Sequence, residues 1–191
     1  MSRLVLRVVA VAGVIALLGV GSYAVAGSGT KNFSGNPMNG YEENPDVSTV
    51  ATGSFTARLS DDGTSIHYKL TYSGLEGNVT QSHVHFGKPA INGGVSFFLC
   101  ATPGFQPPAP TPAAPTCPQS GTVEDDITAA DVIGPTVQGI EVGNLAEILA
   151  AMRAGHAYAN VHSSKWPGGE IRAQLDNGRR HDDHGHEGDD D

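Results

Sequence analysis

The stretch Ser82-His83-Val84-His85-Phe86-Gly87 places two histidines two residues apart, with an apolar residue after each of them. Successive side chains of a β-strand point to opposite faces of a sheet, so a strand here directs both imidazoles to one face. Val84 and Phe86 then point to the other face, where an apolar interior is expected. The stretch therefore predicts a strand with one apolar side and one histidine side.

Two later segments, residues 158–162 and 170–175, alternate polar and apolar side chains in the same way. Antiparallel pairing across the glycine-containing loop between them would bring the end of the first segment beside the start of the second. We therefore expect the three segments to share one sheet region, with their polar faces converging. The side chains expected to meet there are those of His83, His85, His162 and Glu170.

Three imidazoles and one carboxylate are a sufficient ligand set for Zn²⁺ or Cu²⁺, because both ions accept imidazole nitrogen. Copper or zinc is accordingly the expected cofactor. Three neighbouring residues of the same segments, Asn160, Arg172 and Tyr158, are expected to form a supporting layer around the ligands. Since metals bind neutral imidazole, the affinity should fall as the pH drops through about 6.5.

The same residues also fit a site without a metal. In this alternative the side chains form a hydrogen-bond network beneath the proline-rich loop. His83 and His85 would hold loop carbonyls, and Glu170 would pair with Arg172 or Lys165. Every member of such a network must find a partner, because an unpaired buried polar group is costly.

The rest of the chain predicts an all-β fold with many turns, since it contains 25 glycines and 12 prolines. Alternating residues over 53–60 and 64–73 flank Asp61-Asp62-Gly63, which predicts a hairpin with a tight turn. One helix is expected over Leu145–Arg153, where apolar residues recur at helical spacing after Asn144 as the N-cap. We expect an antiparallel β-sandwich or barrel with this one short helix.

The two cysteines, Cys100 and Cys117, flank a proline-rich segment. In an exported chain such a pair indicates a disulfide. The bridge would close a loop of about 16 residues and stabilise the fold by roughly 3 kcal/mol by restricting the unfolded chain. A metal-binding cysteine pair is the alternative, although the spacing differs from that of a zinc knuckle.

Both ends of the chain predict appendages to one domain over residues 27–176. Residues 1–26 resemble a signal peptide, with Arg3 and Arg7 before an apolar run and Ala24-Val25-Ala26 as the cleavage site. An uncleaved anchor helix is the alternative. Residues 177–191 mix histidines with acidic residues and have nothing to pack, so a disordered acidic tail is expected. The protein should be secreted or lie in the cell envelope or periplasm, without membrane contact after cleavage.

The formal net charge of −9, from 20 acidic and 11 basic residues, argues against nucleic acid as the partner. The sequence also lacks a phosphate-binding glycine loop and a GxSxG nucleophile motif. A protein, a glycan or a metal ion remains as the expected ligand.

Four separated motifs resemble the chordin-type CHRD domain. The matching pieces are Glu43-Asn44-Pro45 with Thr52-Gly53, then Tyr72-Ser73-Gly74-Leu75, then His83-Val84-His85-Phe86-Gly87 with Asn92-Gly93, and finally Gly155 with residues 158–163 and 167–175. The resemblance covers residues 33–175 and implies an extracellular or periplasmic all-β domain of undefined biochemical activity. The expected function is therefore that of an exported binding or structural module that carries a histidine-based metal site.

A shorter resemblance links His83-Val84-His85-Phe86-Gly87 to the copper-ligand strand of Cu/Zn superoxide dismutases. In that family the ligands lie on the outer face of a β-barrel beneath loops, so the resemblance implies a dismutase-like, Greek-key architecture. A histidine-rich zinc loop and a C-terminal arginine motif are missing here. The alternative function is a copper- or zinc-dependent redox enzyme with a dismutase-like site.

Overall fold

The computed structural model describes residues 29–176, which form two four-stranded antiparallel sheets. The first sheet has the strand order β1-β2-β3-β6 and the second the order β5-β4-β7-β8. The strands are β1 (Asn32–Met38), β2 (Thr52–Leu59), β3 (Ser65–Ser73), β4 (Val79–Phe86), β5 (Gly94–Ala101), β6 (Gly121–Thr128), β7 (Ala157–Ser163) and β8 (Ile171–Gln174). Within these residues the sheets do not close into a barrel, so the sandwich alternative of the predicted all-β fold is confirmed.

The predicted hairpin is formed by β2 and β3, whose register pairs Leu59 with Ile66 next to the turn. The Ser60 hydroxyl accepts the amides of Thr64 and Ser65 and so closes this turn. Along both strands alternate side chains face the second sheet and are fully buried, as the period of two requires. The core between the sheets is built from such inward positions.

The first strand, β1, was not predicted, because its sequence contains glycine and proline in place of a regular alternation. It pairs with β2 and has a register shift between Gly35 and Met38. At this edge β1 also bridges to the other sheet, through hydrogen bonds of Ser34 with Asp176 and of Asn39 with Arg172. The two sheets are thereby joined along one side of the sandwich.

The one α-helix of the described residues, α1 (Leu145–Arg153), has the predicted bounds. The Asn144 side chain accepts the Glu147 amide at 3.3 Å, which confirms the predicted N-cap. Gly155 follows the helix with a positive φ of 72°. Ile148 and Met152 are fully buried in the core, so the helix covers one end of the sandwich.

The predicted disulfide joins Cys100 in β5 to Cys117, which precedes β6. The loop that it closes lies against β5, since the Ala101 amide donates to the Pro115 carbonyl at 2.9 Å. The Tyr72 hydroxyl donates to the carbonyl of Pro118 at 2.7 Å. The loop therefore connects the two sheets on the side opposite to the β1–β8 link.

The signal-peptide and tail predictions, residues 1–26 and 177–191, lie outside the described residues. Over residues 29–176, no helix is both long and apolar enough to cross a membrane.

Candidate metal centre

Strands β4 and β7 are neighbours in the second sheet, and their register places His83 opposite Asn160 and Gln81 opposite His162. Val84 and Val161 point into the core and are fully buried, so the histidines project from the outer face. On that face His83, His85 and His162 lie together, and each offers a ligand atom within 4.8 Å of those of the other two. Although they are on the outer face, the three side chains are only 3–7% exposed.

Two loops cover the cluster, and each gives a backbone carbonyl to one imidazole. The Nδ1 atom of His85 lies 2.9 Å from the Gly93 oxygen, in the loop between β4 and β5. The Nδ1 atom of His162 lies 2.9 Å from the Pro167 oxygen, in the loop between β7 and β8. A carbonyl only accepts, so both histidines carry a proton on Nδ1 and, when neutral, an open lone pair on Nε2.

The two Nε2 atoms point toward the same place in the centre of the cluster. His162 Nε2 lies 3.2 Å from His83 Nδ1 and 3.0 Å from the side-chain oxygen of Asn160. His85 Nε2 lies 3.1 Å from the same Asn160 oxygen. The second nitrogen of His83, Nε2, is buried and has no hydrogen-bond partner within residues 29–176.

Burial keeps these imidazoles neutral. It is the main cause that lowers the pKa of His83 to about 2, and the neighbouring histidines lower it further. Burial likewise lowers the pKa of His85 to about 4, against an opposing hydrogen bond to Gly93. The pKa of His162 is also lowered by burial. At neutral pH all three side chains are in the form that a metal ion requires.

Tyr158 and Arg172, two residues of the expected supporting layer, lie on one side of the cluster. The Tyr158 ring stacks on His85 with 4.7 Å between the ring centroids, and the Arg172 guanidinium lies 3.3 Å from the centroid of the Tyr158 ring. Arg172 also donates to the backbone oxygens of Lys88 and Ile91. The stack therefore holds the loop whose Gly93 oxygen orients His85.

Glu43 is a site residue that the sequence analysis did not assign. It follows the 3₁₀ turn Gly40–Glu42, is 6% exposed, and its Oε1 atom has no hydrogen-bond partner in the described part of the chain. Burial raises the pKa of Glu43 to about 7, although the charge of Arg172 and hydrogen bonds from the Asn44 backbone and the Asn160 side chain lower it. The available signal was the Glu43-Asn44-Pro45 motif, which was used only for the family resemblance.

Glu170 is not part of the group formed by the three histidines. The side chain is fully buried, and its Oε1 atom accepts hydrogen bonds from the Thr49 hydroxyl at 2.9 Å and the Glu76 amide at 2.7 Å. Its Oε2 atom accepts from Ser163. The pairing of Glu170 with Arg172 or Lys165, expected for a site without a metal, is not found among the described residues. Lys165 pairs with Glu76, and Arg172 donates to the Ile91 and Lys88 oxygens. Glu170 instead links three segments of the chain, those that contain Thr49, Glu76 and Ser163.

The family model for the CHRD domain matches residues 35–175, about three quarters of the chain, and this range includes every residue of the candidate metal centre. The chain belongs to the CHRD family. No curated protein and no solved structure shows a significant match to it.

Within this CHRD domain, the cluster is assembled from three of the family-like motifs. The first contributes Glu43, the β4 motif contributes His83 and His85, and the C-terminal motif contributes Asn160 and His162. Three buried, neutral imidazoles with converging lone pairs are chemically suited to bind a transition metal ion. The family and the geometry together support a binding or structural module.

Proposed function

We propose that this CHRD domain is an exported binding module that holds one copper or zinc ion through His83, His85 and His162. The observation that carries the proposal is the excess of hydrogen-bond acceptors at the centre of the cluster. His85 and His162 each use their single N–H on a loop carbonyl. Their Nε2 lone pairs then face the Asn160 oxygen, which is an acceptor too.

With the Asn160 oxygen directed at the two imidazoles, the described residues supply too few protons to satisfy these acceptors. A neutral His83 carries one N–H, and its Nδ1 atom lies near His162 Nε2, so no proton remains between His85 Nε2 and the Asn160 oxygen. A second proton on His85 is disfavoured, because burial lowers the pKa of this imidazole to about 4. A bound metal cation satisfies the converging lone pairs together, without protonating an imidazole.

The spacing of the nitrogens agrees with one shared ion. In a tetrahedral site with metal–nitrogen distances of about 2.0 Å, two ligand atoms are about 3.3 Å apart. The separation of 3.2 Å between His83 Nδ1 and His162 Nε2 is close to this value. The Nδ1 contacts to loop carbonyls are the outer hydrogen bonds that metal-bound histidines usually make, and they orient both rings.

Burial favours a binding module over the alternative of a redox enzyme. A substrate of such an enzyme must reach an open position on the metal. Here the three histidines are only 3–7% exposed beneath the two covering loops. We therefore propose that the ion stabilises the domain and its loops, and that a partner protein or glycan binds elsewhere on the surface.

Export is the second part of the proposal. The Cys100–Cys117 bridge supports it, because structural disulfides persist in oxidising compartments outside the cytosol. The signal-like sequence of residues 1–26 points in the same direction. Detection of the chain without residues 1–26 in the medium or the cell envelope would test this part.

Metal binding is tested by elemental analysis of the purified full-length chain after exposure to Cu²⁺ or Zn²⁺ and gel filtration. We expect the wild type to retain one more equivalent of metal than His85→Ala. Removing the His85 imidazole deletes one ligand and the hydrogen bond to the Gly93 oxygen in the covering loop. The matched control is His67→Ala, since His67 is an exposed histidine on the other sheet, paired with Asp126.

The tail histidines at 181, 184 and 186 are present in every variant, so the metal that they bind cancels in the comparison. His83→Gln provides a second variant of similar size, in case His85→Ala does not fold. Equal metal content in the wild type, His85→Ala and His83→Gln would refute the metal site.

A further inference from the structure

We infer that Asn160 is the fourth ligand of this metal ion and that Glu43 is the positioning residue that orients the Asn160 amide. The inference rests on the proposed function, and it extends that function by making the site four-coordinate and closed to exogenous ligands. Sequence analysis placed Asn160 only in the supporting layer.

The position of Asn160 follows from the strand register. It lies on β7, directly opposite His83 on β4, and two residues before His162. Its side chain therefore shares the outer face with the histidines, where it is 2% exposed. The Asn160 oxygen lies 3.1 Å from His85 Nε2 and 3.0 Å from His162 Nε2, so it is at the centre of the cluster.

The proposed ligand atoms are the Asn160 oxygen, His85 Nε2, His162 Nε2 and His83 Nδ1. Three of the separations between them are 3.0, 3.1 and 3.2 Å. A tetrahedral site with bonds of about 2.0 Å needs separations of about 3.3 Å. The ligand atoms of the three histidines lie within 4.8 Å of one another, so one ion would draw them closer together to reach the amide oxygen and the imidazoles.

Asn160 is a ligand only if its side-chain oxygen faces the metal. Glu43 is the residue that fixes the amide in this orientation. An interaction with the Asn160 side chain is among the causes that lower the pKa of Glu43, which places the Glu43 carboxylate near this amide. When Glu43 is ionised, its carboxylate only accepts, so it selects the NH₂ group and leaves the oxygen directed toward the histidines. With the amide reversed, the Asn160 oxygen would face the carboxylate.

Gly169 leaves room for Glu43 in this position. A Cβ atom at Gly169 would meet the carboxylate group of Glu43, with its nearest oxygen only 2.3 Å away. Gly169 also has a φ of 130°, a conformation that favours glycine. The loop that orients His162 through Pro167 therefore also accommodates the residue that orients Asn160.

The consequence is a coordination shell filled by protein atoms, which is the pattern of structural metal sites. Such a site has no position for a small anion. The test uses the full-length chain loaded with Cu²⁺ or Co²⁺, whose visible spectra report the ligands, with azide as the added anion. We expect azide to leave the wild-type spectrum unchanged and to change the spectrum of Asn160→Ala, which opens one position.

Asn160→Asp is the matched control, because its carboxylate keeps an oxygen ligand in place, and its spectrum should resist azide. The wild-type titration needs no substitution, so an azide response of the wild type by itself overturns the inference while the proposed metal site stands. An Asn160→Ala spectrum that azide leaves unchanged also overturns it. Absence of metal from the wild type refutes both the inference and the proposed function.

The role of Glu43 is tested separately with Glu43→Ala and Glu43→Gln. Glutamine retains a carbonyl that accepts the Asn160 NH₂ group, so it should restore the azide resistance that alanine loses. A purely structural role of Glu43 would lower the unfolding midpoint of the metal-free Glu43→Ala variant without making its spectrum sensitive to azide. That result would remove Glu43 as the positioning residue.

Discussion

At the level of single residues, burial decides the protonation of the histidine cluster. The unfolded chain has histidine pKa values near 6.5, whereas the pKa of His85 falls to about 4 and that of His83 to about 2 in the fold. Between these values and pH 6.5 the unfolded state binds more protons than the folded state. The stabilisation by neutral histidines is thus complete above pH 6.5 and is lost as the pH falls.

The protonation of Glu43 has the opposite effect on how stability depends on pH. Burial raises its pKa from 4.5 to about 7, so between these values the folded state holds a proton that the unfolded state releases. The stabilisation of the fold by protonated Glu43 is complete below pH 4.5 and is lost as the pH rises through 7. The other groups that face the cluster, Arg172 and Tyr158, keep their charge states over this range.

We predict that the metal-free protein loses stability on acidification from pH 6 to 4.5. His83 and His85 against Glu43 leave a difference of about one proton, which corresponds to roughly 1.4 kcal/mol per pH unit in the free energy of unfolding, and the lowered pKa of His162 adds to this slope. Urea titrations at half-unit pH steps measure this slope. Glu43→Gln removes the opposing contribution, so its slope should be steeper by about 1.4 kcal/mol per pH unit. A variant slope equal to that of the wild type would contradict the raised pKa of Glu43.

Glu170 supplies a second prediction at the residue level, because its carboxylate holds the Thr49 hydroxyl, the Glu76 amide and the Ser163 hydroxyl. Glu170→Ala leaves these groups without an acceptor inside the protein. We expect the free energy of unfolding to fall by about 3 kcal/mol, while the folded protein binds the same amount of metal.

Chemical denaturation and metal analysis of the same Glu170→Ala sample check both parts. Loss of the metal equivalent from folded Glu170→Ala would show that this carboxylate is a ligand, as the sequence analysis expected. Glu76→Ala is a suitable control for the surface, since its carboxylate forms an ion pair with the exposed Lys165 and does not touch Glu170 through its side chain.

At the level of elements, the loop between β4 and β5 determines how His85 is presented. Gly93 lies so close to β4 that a Cβ atom would be 1.8 Å from the Phe86 oxygen. The Gly93 amide also donates to the Tyr158 hydroxyl at 3.1 Å, and its carbonyl accepts from His85. The loop therefore tolerates no side chain at this point.

We predict that Gly93→Ala displaces the loop and weakens metal binding about 10- to 100-fold, the range typical of lost outer hydrogen bonds of metal ligands. Isothermal titration with Zn²⁺ measures the affinity. Gly168→Ala is the control in the other covering loop, because a Cβ atom there meets nothing within 4 Å. Equal affinities of the two variants would show that the Gly93 carbonyl does not orient His85.

At the level of the whole molecule, the two sheets of the sandwich are connected along both sides. Backbone hydrogen bonds between β1 and β8 connect the sheets on one side. On the other, the Cys100–Cys117 disulfide attaches β5 to the loop that leads into β6. The candidate metal centre lies on the outer face of the second sheet, and none of its residues belongs to the loop that the disulfide closes.

We predict that replacing both cysteines with serine lowers the free energy of unfolding by about 3 kcal/mol, because the unfolded chain regains the freedom of the closed loop. Urea denaturation measures the loss, and the folded variant should keep the metal equivalent. A reductant should destabilise the wild type to a similar extent and leave the double variant unchanged. If the reductant also destabilised the double variant, its effect on the wild type would have a cause other than reduction of the Cys100–Cys117 bridge.

Most of the β-structure and the helix could be predicted from local pattern. The strand predicted through His83 and His85 and the bounds of α1 agree with the structure, because alternation, helical spacing and caps are properties of neighbouring residues. The strand β1 was missed, since its pairing with β2 and β8 overcomes an irregular sequence. Its contacts are between residues far apart in the chain, which a local pattern does not contain.

The sequence by itself determined that His83 and His85 share one face of β4 and that Asn160 and His162 share one face of β7, because strand parity depends only on counting residues along a strand. Only the tertiary structure decided which groups surround them. It brings Glu43 and the Gly93 and Pro167 carbonyls to the cluster and gives Glu170 a structural role elsewhere. The physical reason is that hydrogen bonding and burial depend on distances in space, and the folding of distant loops over one sheet face sets those distances.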